Sequence, residues 1–256
     1  MSSSRVLLPP GPGGAVAGAG PGRRAAVVGV VGARGGAGTS TLAALTAARL
    51  ARRTSTVLAD LDCRGGGLDV TVGVEDADGA RWPELAGARG DVPGEDVLAL
   101  LPRWGGCAVL SADRDGSDPD PGLVTDVLHA LTGVVGAIVL DLPRGGASAG
   151  AAVLGACDVV VVVARRDLRS VAGTLAVRPR LAAAGTSAGL VVLGRGPGGL
   201  SVAELSAAVD LPVLWAGGTT RRLARAAERG VLPSRGTAVR AARAVAAQVE
   251  ASWLLG

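Results

Sequence analysis

Glycine and hydroxyl residues follow the first apolar stretch of the chain, within residues 27–41 (VVGVVGARGGAGTST). Gly35, Gly36 and Gly38 allow backbone conformations that residues with a Cβ atom avoid, so several N–H groups can point toward one spot. That spot lies at the start of a predicted helix, where the backbone dipoles favour an anion. The segment therefore predicts a phosphate-binding loop, with a glycine-rich turn that binds nothing as the alternative.

A neutral residue stands where such a loop normally carries its lysine. In the pattern GxxxxGK[ST], the lysine reaches the terminal phosphates of a nucleotide and the next hydroxyl holds Mg²⁺. Thr39 and Ser40 occupy these two places. The chain contains no Lys or Asn and one Ile, which indicates GC-rich codons, but codon bias does not explain a neutral hydroxyl at position 39. We therefore expect weak or absent ATP hydrolysis.

Aspartates end two further apolar runs of the chain. Asp60 and Asp62 close the run VLADLD, and Asp141 closes the run AIVLD. In open α/β sheets, ligand-contacting groups lie at the carboxyl ends of the strands. The acids are therefore candidates for contacting a ligand at that edge, while capping of a loop is the alternative for the first pair.

These motifs, in this order, resemble the ParA/MinD family of P-loop proteins, which belongs to the SIMIBI class. Residues 34–40 are similar to the family's loop KGGxGK[ST], with Arg34 at its first lysine and Thr39 at its second. The resemblance implies that the nucleotide-binding residues are Arg34, Gly35, Gly36, Ala37, Gly38, Thr39, Ser40 and Thr41.

The resemblance also implies roles for the acids. Asp62 would be the catalytic residue that orients the attacking water, and Ser40, Asp60 and Asp141 would hold Mg²⁺ or its outer shell. The implied cofactors are ATP or ADP with Mg²⁺, in a weakened site. The Asn with which the family recognises adenine has no counterpart, because Gly194 stands at that place.

A narrower resemblance is carried by VVGVVGARGGAGTSTLAA, LADLDCRGGGLDVTVG, RWPEL and VLDLPR. Together these segments are similar to the actinobacterial septum-site-determining proteins, a CpaE-like group found beside helicase and secretion genes. Members usually carry a receiver-like domain ahead of the ATPase-like domain, whereas 24 residues precede it here, so either the member lacks that domain or the sequence start is incomplete.

The narrower resemblance implies a positional or regulatory protein for septum-site selection in cell division, or for placement of a pilus or secretion system. Its partners would be cell-division or secretion/pilus proteins and a second copy of the chain in a homodimer. The alternative is an active but slow ATPase of the MinD/CpaE type that uses Arg34 and Mg²⁺ in place of the loop lysine.

The apolar runs are continuous in Val, Leu or Ile and are separated by Ala-rich stretches, which is typical of buried parallel strands joined by helices. We therefore predict an α/β, P-loop NTPase-like fold with a mostly parallel central sheet and helices on both faces, in three layers. The predicted strands are residues 26–31, 56–60, 107–111, 137–141, 159–164, 190–193 and 213–215. The predicted helices are residues 41–53, 121–131, 169–184, 201–208, 219–229 and 237–255.

Residues 1–24 are rich in Pro, Gly and Ser and are predicted to be a disordered tail, with the ParA/MinD-like domain over residues 25–256. The net charge of +4 comes from arginines mixed with 22 acids, so nucleic acid is not an expected partner. The cluster Arg221, Arg222, Arg225 and Arg229 keeps a DNA-binding alternative open beside a solvated helix face.

The three cysteines form no CxxC pair and the single histidine has no metal-ligand spacing, which predicts reduced, buried thiols and no structural metal. No apolar run approaches the roughly 20 residues that cross a bilayer, so we expect a cytoplasmic protein. The last helix favours a core position over weak binding to the inner face of the plasma membrane, because its polar side is poor in Arg. Trp82 likewise favours the core over a partner contact.

Overall fold

The computed structural model describes residues 24–87, 90, 92–112, 117–145, 148–194, 199–218 and 229–255, with the backbone alone at 148–149 and 252–255. Its strands are β1 (Ala26–Gly32), β2 (Thr56–Asp60), β3 (Arg103–Trp104), β4 (Cys107–Leu110), β5 (Ala137–Leu142), β6 (Val159–Ala164), β7 (Ala188–Leu193) and β8 (Val213–Gly217). They form one sheet in the order β3-β4-β2-β5-β1-β6-β7-β8. Only β3, at one edge, pairs antiparallel among these strands.

Helices connect most of the strands. They are α1 (Thr39–Leu50), α2 (Leu68–Val72), α3 (Gly94–Leu100), α4 (Pro121–Thr132), α5 (Ser148–Leu154), α6 (Leu168–Ala183), α7 (Val202–Val209) and α8 (Thr237–Leu255), with a 3-10 turn at Pro83–Leu85. Good local capping marks several starts. Asp120 accepts hydrogen bonds from two N–H groups of the first turn of α4, and Ser201 and Glu204 form a reciprocal capping box on α7.

The two faces of the sheet carry two separate apolar cores. Alternate residues of one strand point to opposite faces, so Val27 and Val31 enter one core while Val28 and Val30 enter the other. The first core is closed by α3 to α7, and the second by α1, α2 and α8. The predicted three-layer α/β fold is therefore confirmed.

The elements that sequence periodicity missed are the short ones. Helix α2 has five residues, α3 and α5 have seven each, and β3 has two, so none spans enough turns or alternations to give a clear pattern. Helix α6 contains Pro179 and still continues to Ala183. Residues 1–23 of the predicted tail (1–24) lie outside the described residues. So do residues 219–228 of the predicted helix 219–229, with three of its four clustered arginines.

Burial accounts for the cysteines and for the last helix. Cys63, Cys107 and Cys157 are free and buried, and burial raises the pKa of each thiol to about 12, as expected for unreactive core thiols. Alanines and valines of α8, from Ala238 to Val249, are buried in the second core. Within the described part of the chain, no helix combines the length and the apolar character that a membrane span requires.

Candidate phosphate-binding site

Three neighbouring strands end at one edge of the sheet and bring the predicted site residues together. Strand β5 lies between β2 and β1, and all three run parallel. The register places Asp60 of β2 directly beside Asp141 of β5. The phosphate loop leaves β1 at the same edge, so loop and acids meet although 100 residues of chain separate some of them.

The loop turns on two glycines with left-handed backbone angles. Gly36 has φ of 67° and Gly38 has φ of 99°, which residues with a Cβ atom rarely adopt. Gly38 is also the first residue outside α1, and no side chain caps the helix there. The N–H groups of the first turn are therefore left without a side-chain acceptor at the positive end of the helix, as a bound phosphate requires.

The residues after the last glycine turn in different directions. A Cβ atom built on Gly32 would lie 2.5 Å from Thr39 Oγ1, so the Thr39 hydroxyl points back to the base of the loop. Ser40 lies beside Asp141, near enough for its side chain to oppose the rise in the pKa of that carboxyl. Position 39 thus offers no charge to a phosphate, while position 40 keeps the hydroxyl-to-acid pairing that a phosphate-bound Mg²⁺ uses in P-loop proteins.

The two paired acids are buried and electrostatically strained. Asp60 accepts hydrogen bonds from the N–H groups of Asp62 (2.9 Å) and Leu68 (3.0 Å), yet burial raises its pKa to about 6. Burial raises the pKa of Asp141 well above its ordinary value, the charge of Asp60 acts in the same direction, and Ser40 opposes the shift. A cation at this edge would relieve the repulsion.

Magnesium fits these residues only as part of a larger set. In the described part of the chain, no three or more His, Cys, Asp or Glu side chains are grouped to hold a metal ion. One hydroxyl with outer carboxylates matches the way Mg²⁺ keeps several waters and takes phosphate oxygens as ligands. The residues therefore fit Mg²⁺ together with a phosphate, and not a metal held by protein alone.

The candidate catalytic carboxylate Asp62 is half-buried just beyond Asp60. Burial raises its pKa, the positive charge of Arg144 opposes that rise, and Asp118 adds to it. Arg144 stands two residues after β5, and its side chain lies over the loop: a Cβ atom built on Gly35 would lie 3.7 Å from Arg144 Nη2. The sequence did not indicate Arg144 as a site residue. The chain has no Lys, so every strongly basic side chain is Arg and the residue type alone does not mark a binding residue.

Arg34 is directed away from the centre of the loop. Its Nε donates to Asp167 Oδ2 at 3.1 Å and its Nη1 donates to the Gly35 carbonyl. Asp167 also caps α6 by accepting from the Ser170 N–H, and these contacts lower its pKa. Arg34 thus joins the loop to α6 within one chain.

The far end of the site offers no amide side chain. Strand β7 ends at Leu193, and the Gly194 N–H donates to the Gly217 carbonyl at 2.7 Å. Gly194 has φ of 82°, a left-handed backbone angle, at the position where the resemblance implies an Asn that recognises adenine. Residues 195–198 lie outside the described part of the chain.

Trp82 is buried beneath the acids and holds the backbone of Asp60 through a hydrogen bond. It is 2% exposed, and its indole N–H donates to the Asp60 carbonyl at 2.7 Å. Its backbone N–H donates to the Ser111 carbonyl, so it joins the ends of β2 and β4. The neighbouring Arg81 is also buried and donates to three loop carbonyls. The predicted core role of Trp82 is confirmed.

Two relatives found by sequence are named only as uncharacterized proteins. No family model matches the chain. Two uncharacterized proteins of Mycobacterium tuberculosis, Rv3660c of strain H37Rv and MT3760 of strain CDC 1551, are each 41% identical over 219 residues, or 86% of this chain. The chain spans 62% of the length of these relatives.

Solved structures give a clearer comparison. The septum site-determining protein MinD of Pyrococcus horikoshii, complexed with Mg-ADP, matches with a TM-score of 0.74 at 20% identity, over 91% of this chain and 98% of that one. A ParA family ATPase of Chlorobium tepidum matches with a TM-score of 0.71 at 15% identity, over 91% and 99%. The chain has the fold of the ParA and MinD ATPases.

Within this ParA/MinD fold, the structure gathers the glycine loop, Ser40, Asp60 and Asp141 at one point, with Asp62 at its rim. Thr39 lies in the loop with its hydroxyl turned inward, and Thr41 is buried in α1. Arg34 is held by α6. The arrangement can bind an oxyanion through backbone N–H groups, and it can hold a phosphate-bound cation between Ser40 and the acids.

Proposed function

We propose that the chain is a ParA/MinD-like protein that positions or regulates other proteins and binds a nucleotide, with little or no hydrolysis. The pairing of Ser40 with Asp141 at the start of an uncapped helix carries the proposal. A phosphate-bound Mg²⁺ needs a hydroxyl and a buried acid in this relation. The shared fold supports the same assignment.

Weak hydrolysis follows from the charges around the loop. Thr39 is neutral and turned toward Gly32, and Arg34 is in an ion pair with Asp167. Removing one contact that stabilises charge in a transition state commonly lowers a rate by about 10²–10³. Nucleotide binding can therefore persist while turnover falls to background.

Calorimetric titration tests the binding half of the proposal. We expect ATP and ADP to bind the full chain more tightly with Mg²⁺ than without it, because Ser40 and the acids would hold the phosphate-bound ion. Ser40→Ala should remove the benefit of Mg²⁺, while Ser206→Ala, a hydroxyl change on α7, should leave it intact. No heat from either nucleotide at millimolar concentration, with or without Mg²⁺, would overturn the proposal.

A slow ATPase is the second candidate, and the position of Asp62 favours it. This carboxylate is half-buried at the rim of the site and near the charge of Arg144, which supports a role in orienting the attacking water. Phosphate release by the purified chain separates the candidates. Turnover well above background that disappears in Asp62→Ala would establish the ATPase and refute the weak-hydrolysis proposal.

The cellular role that we propose is septum-site selection or placement of a pilus or secretion system, with proteins of those systems as partners. A homodimer formed around nucleotide and a cytoplasmic location, partly at the inner face of the plasma membrane, belong to the same proposal. A fluorescent fusion should concentrate at division sites or cell poles, and Ser40→Ala should disperse it. Uniform fluorescence of the unaltered fusion would count against a positional role.

A further inference from the structure

The Arg144 side chain runs along the phosphate loop from the neighbouring strand. Its Cδ lies 3.7 Å from the position of a Cβ atom built on Gly32, and its Nη2 lies 3.7 Å from the corresponding position on Gly35. The aliphatic part therefore passes the base of the loop, beside the inward-turned Thr39 hydroxyl. The guanidinium reaches the glycines, whose backbone is the part of the loop that faces a ligand.

The other cation of the loop is already engaged. Arg34 donates to Asp167 and to the Gly35 carbonyl. Among the described residues, no carboxylate lies within ion-pair distance of the Arg144 guanidinium. The charge of Arg144 opposes the rise that burial causes in the pKa of Asp62, although the two side chains are farther apart than an ion pair. Arg144 thus brings an uncommitted positive charge to a loop that lacks its own.

The base of the Arg144 side chain is held in place on two sides. The Arg144 carbonyl accepts a hydrogen bond from Arg180 Nη1 of α6 at 3.0 Å. The preceding Pro143 has a restricted backbone and packs on α5, since a Cβ atom built on Gly150 would lie 2.8 Å from Pro143 Cγ. These contacts fix the backbone at Arg144, and its exposed side chain extends from there along the loop.

We infer that Arg144 is a phosphate-binding residue that supplies, from the end of β5, the positive charge absent at position 39. Its ligand class is the β- and γ-phosphates of a nucleoside di- or triphosphate. A guanidinium donates two parallel hydrogen bonds to phosphate and keeps its charge at every relevant pH. The inference rests on the proposed nucleotide binding and adds the group that makes it feasible without a loop lysine.

The test compares ATP, ADP and AMP titrations, with Mg²⁺, of the full chain and its variants. Arg144→Ala should weaken ATP binding by about 10- to 100-fold, as expected for the loss of hydrogen bonds to a charged group. ADP should lose less and AMP almost nothing, because AMP lacks the outer phosphates. Arg144→Lys should keep part of the ATP affinity, since the charge remains while the two parallel hydrogen bonds are lost.

Two further variants separate a binding role from a structural one. Arg103→Ala removes an exposed arginine on the edge strand β3 and should leave all three affinities unchanged. Adding Thr39→Lys to Arg144→Ala should restore ATP affinity, because it returns a cation to the loop from its own helix. If Arg144 had only a structural role, Thr39→Lys would raise ATP affinity by the same factor with and without Arg144, and not by a larger factor in the Arg144→Ala background.

The outcomes distinguish this inference from the function on which it rests. ATP binding by the unaltered chain that is unaffected by Arg144→Ala would overturn the role of Arg144 and leave nucleotide binding standing. Absence of ATP and ADP binding in the unaltered chain would overturn both. Equal losses for ATP, ADP and AMP would also refute the role of Arg144, because a contact to the outer phosphates discriminates among them.

Discussion

At the scale of single residues, charge is supplied to the loop from unexpected places. The first arginine of the loop is bound to α6, the hydroxyl at position 39 turns to Gly32, and Arg144 arrives from another strand. The acids, by contrast, occupy the places that their motifs indicate, because a strand end leaves a short side chain few directions. Long side chains are therefore the uncertain part of this site.

Restoring the missing lysine should strengthen the loop. In Thr39→Lys, the new ammonium can reach the outer phosphates. ATP affinity should therefore rise by about 10-fold or more, which is the change that one hydrogen bond to a charged group produces. Calorimetry or a fluorescent ATP analogue measures the change. Thr39→Val, which keeps the shape without charge, serves as control, and an affinity in Thr39→Lys below that of Thr39→Val would contradict this account.

The indole N–H of Trp82 binds the Asp60 carbonyl at the end of β2, and its loss should lower the stability of the fold. Trp82→Phe leaves the buried Asp60 carbonyl without its donor and opens a small void, so the free energy of unfolding should fall by about 1–3 kcal/mol. Urea denaturation measures it. Trp104→Phe, on the half-buried edge strand, should cost clearly less; equal losses in the two variants would argue against the hydrogen bond.

At the scale of elements, close backbone packing joins α6 to the loop. A Cβ atom on Gly173 would overlap the Ala33 carbonyl oxygen, so only glycine allows α6 to approach the start of the loop. The approach brings Asp167, at the start of α6, within reach of Arg34. The same helix also anchors the Arg144 carbonyl through Arg180. Helix α6 thus contacts both arginines, Arg34 at its side chain and Arg144 at its backbone carbonyl.

Gly173→Ala should therefore disturb stability and site together. Forcing a methyl group into a packed contact costs about 1–3 kcal/mol, and here the helix or the loop has to shift. Thermal denaturation should show a lower Tm, and ATP affinity should fall with it. Gly155→Ala adds a methyl group in open space after α5 and should change neither quantity. A Gly173→Ala variant as stable as Gly155→Ala would contradict the proposed packing constraint.

At the scale of the whole molecule, the buried acids set a pH dependence. The pKa of Asp60 is about 6 in the folded chain and about 3.9 when unfolded, so between these values the folded state binds more protons. Stability then falls as the pH rises through this window. The pKa of Asp141 is raised as well and acts in the same direction.

Lowering the pH from 7 to about 4.5 should therefore raise the free energy of unfolding, by about 2 kcal/mol from Asp60 alone. The lowered pKa values of Asp167 and Glu204 favour the folded state and lose their effect only below about pH 4. Denaturation of the ligand-free chain across this range measures the trend. Asp141→Asn should flatten it, and a Tm that drops steadily from pH 7 to 5 would refute it.

The layers of the fold and the sheet edge of the candidate site could be predicted from the amino-acid sequence. Continuous apolar runs form strands buried on both faces, and Gly36, Gly38, Asp60 and Asp141 stand at strand ends, where parallel strands expose one common edge. These features depend on neighbours in the sequence. Short helices such as α2 were missed, because five residues show no periodicity.

The contacts of the arginines at the site are visible only in the folded structure. The partner of Arg34 is Asp167, 133 residues away, and Arg144 reaches a loop that begins more than a hundred residues earlier. A flexible guanidinium follows the nearest acid or open space that packing provides, and no local pattern encodes that choice. For the same reason, no local pattern indicates that the Arg144 side chain, which follows β5, lies beside the glycine loop that follows β1.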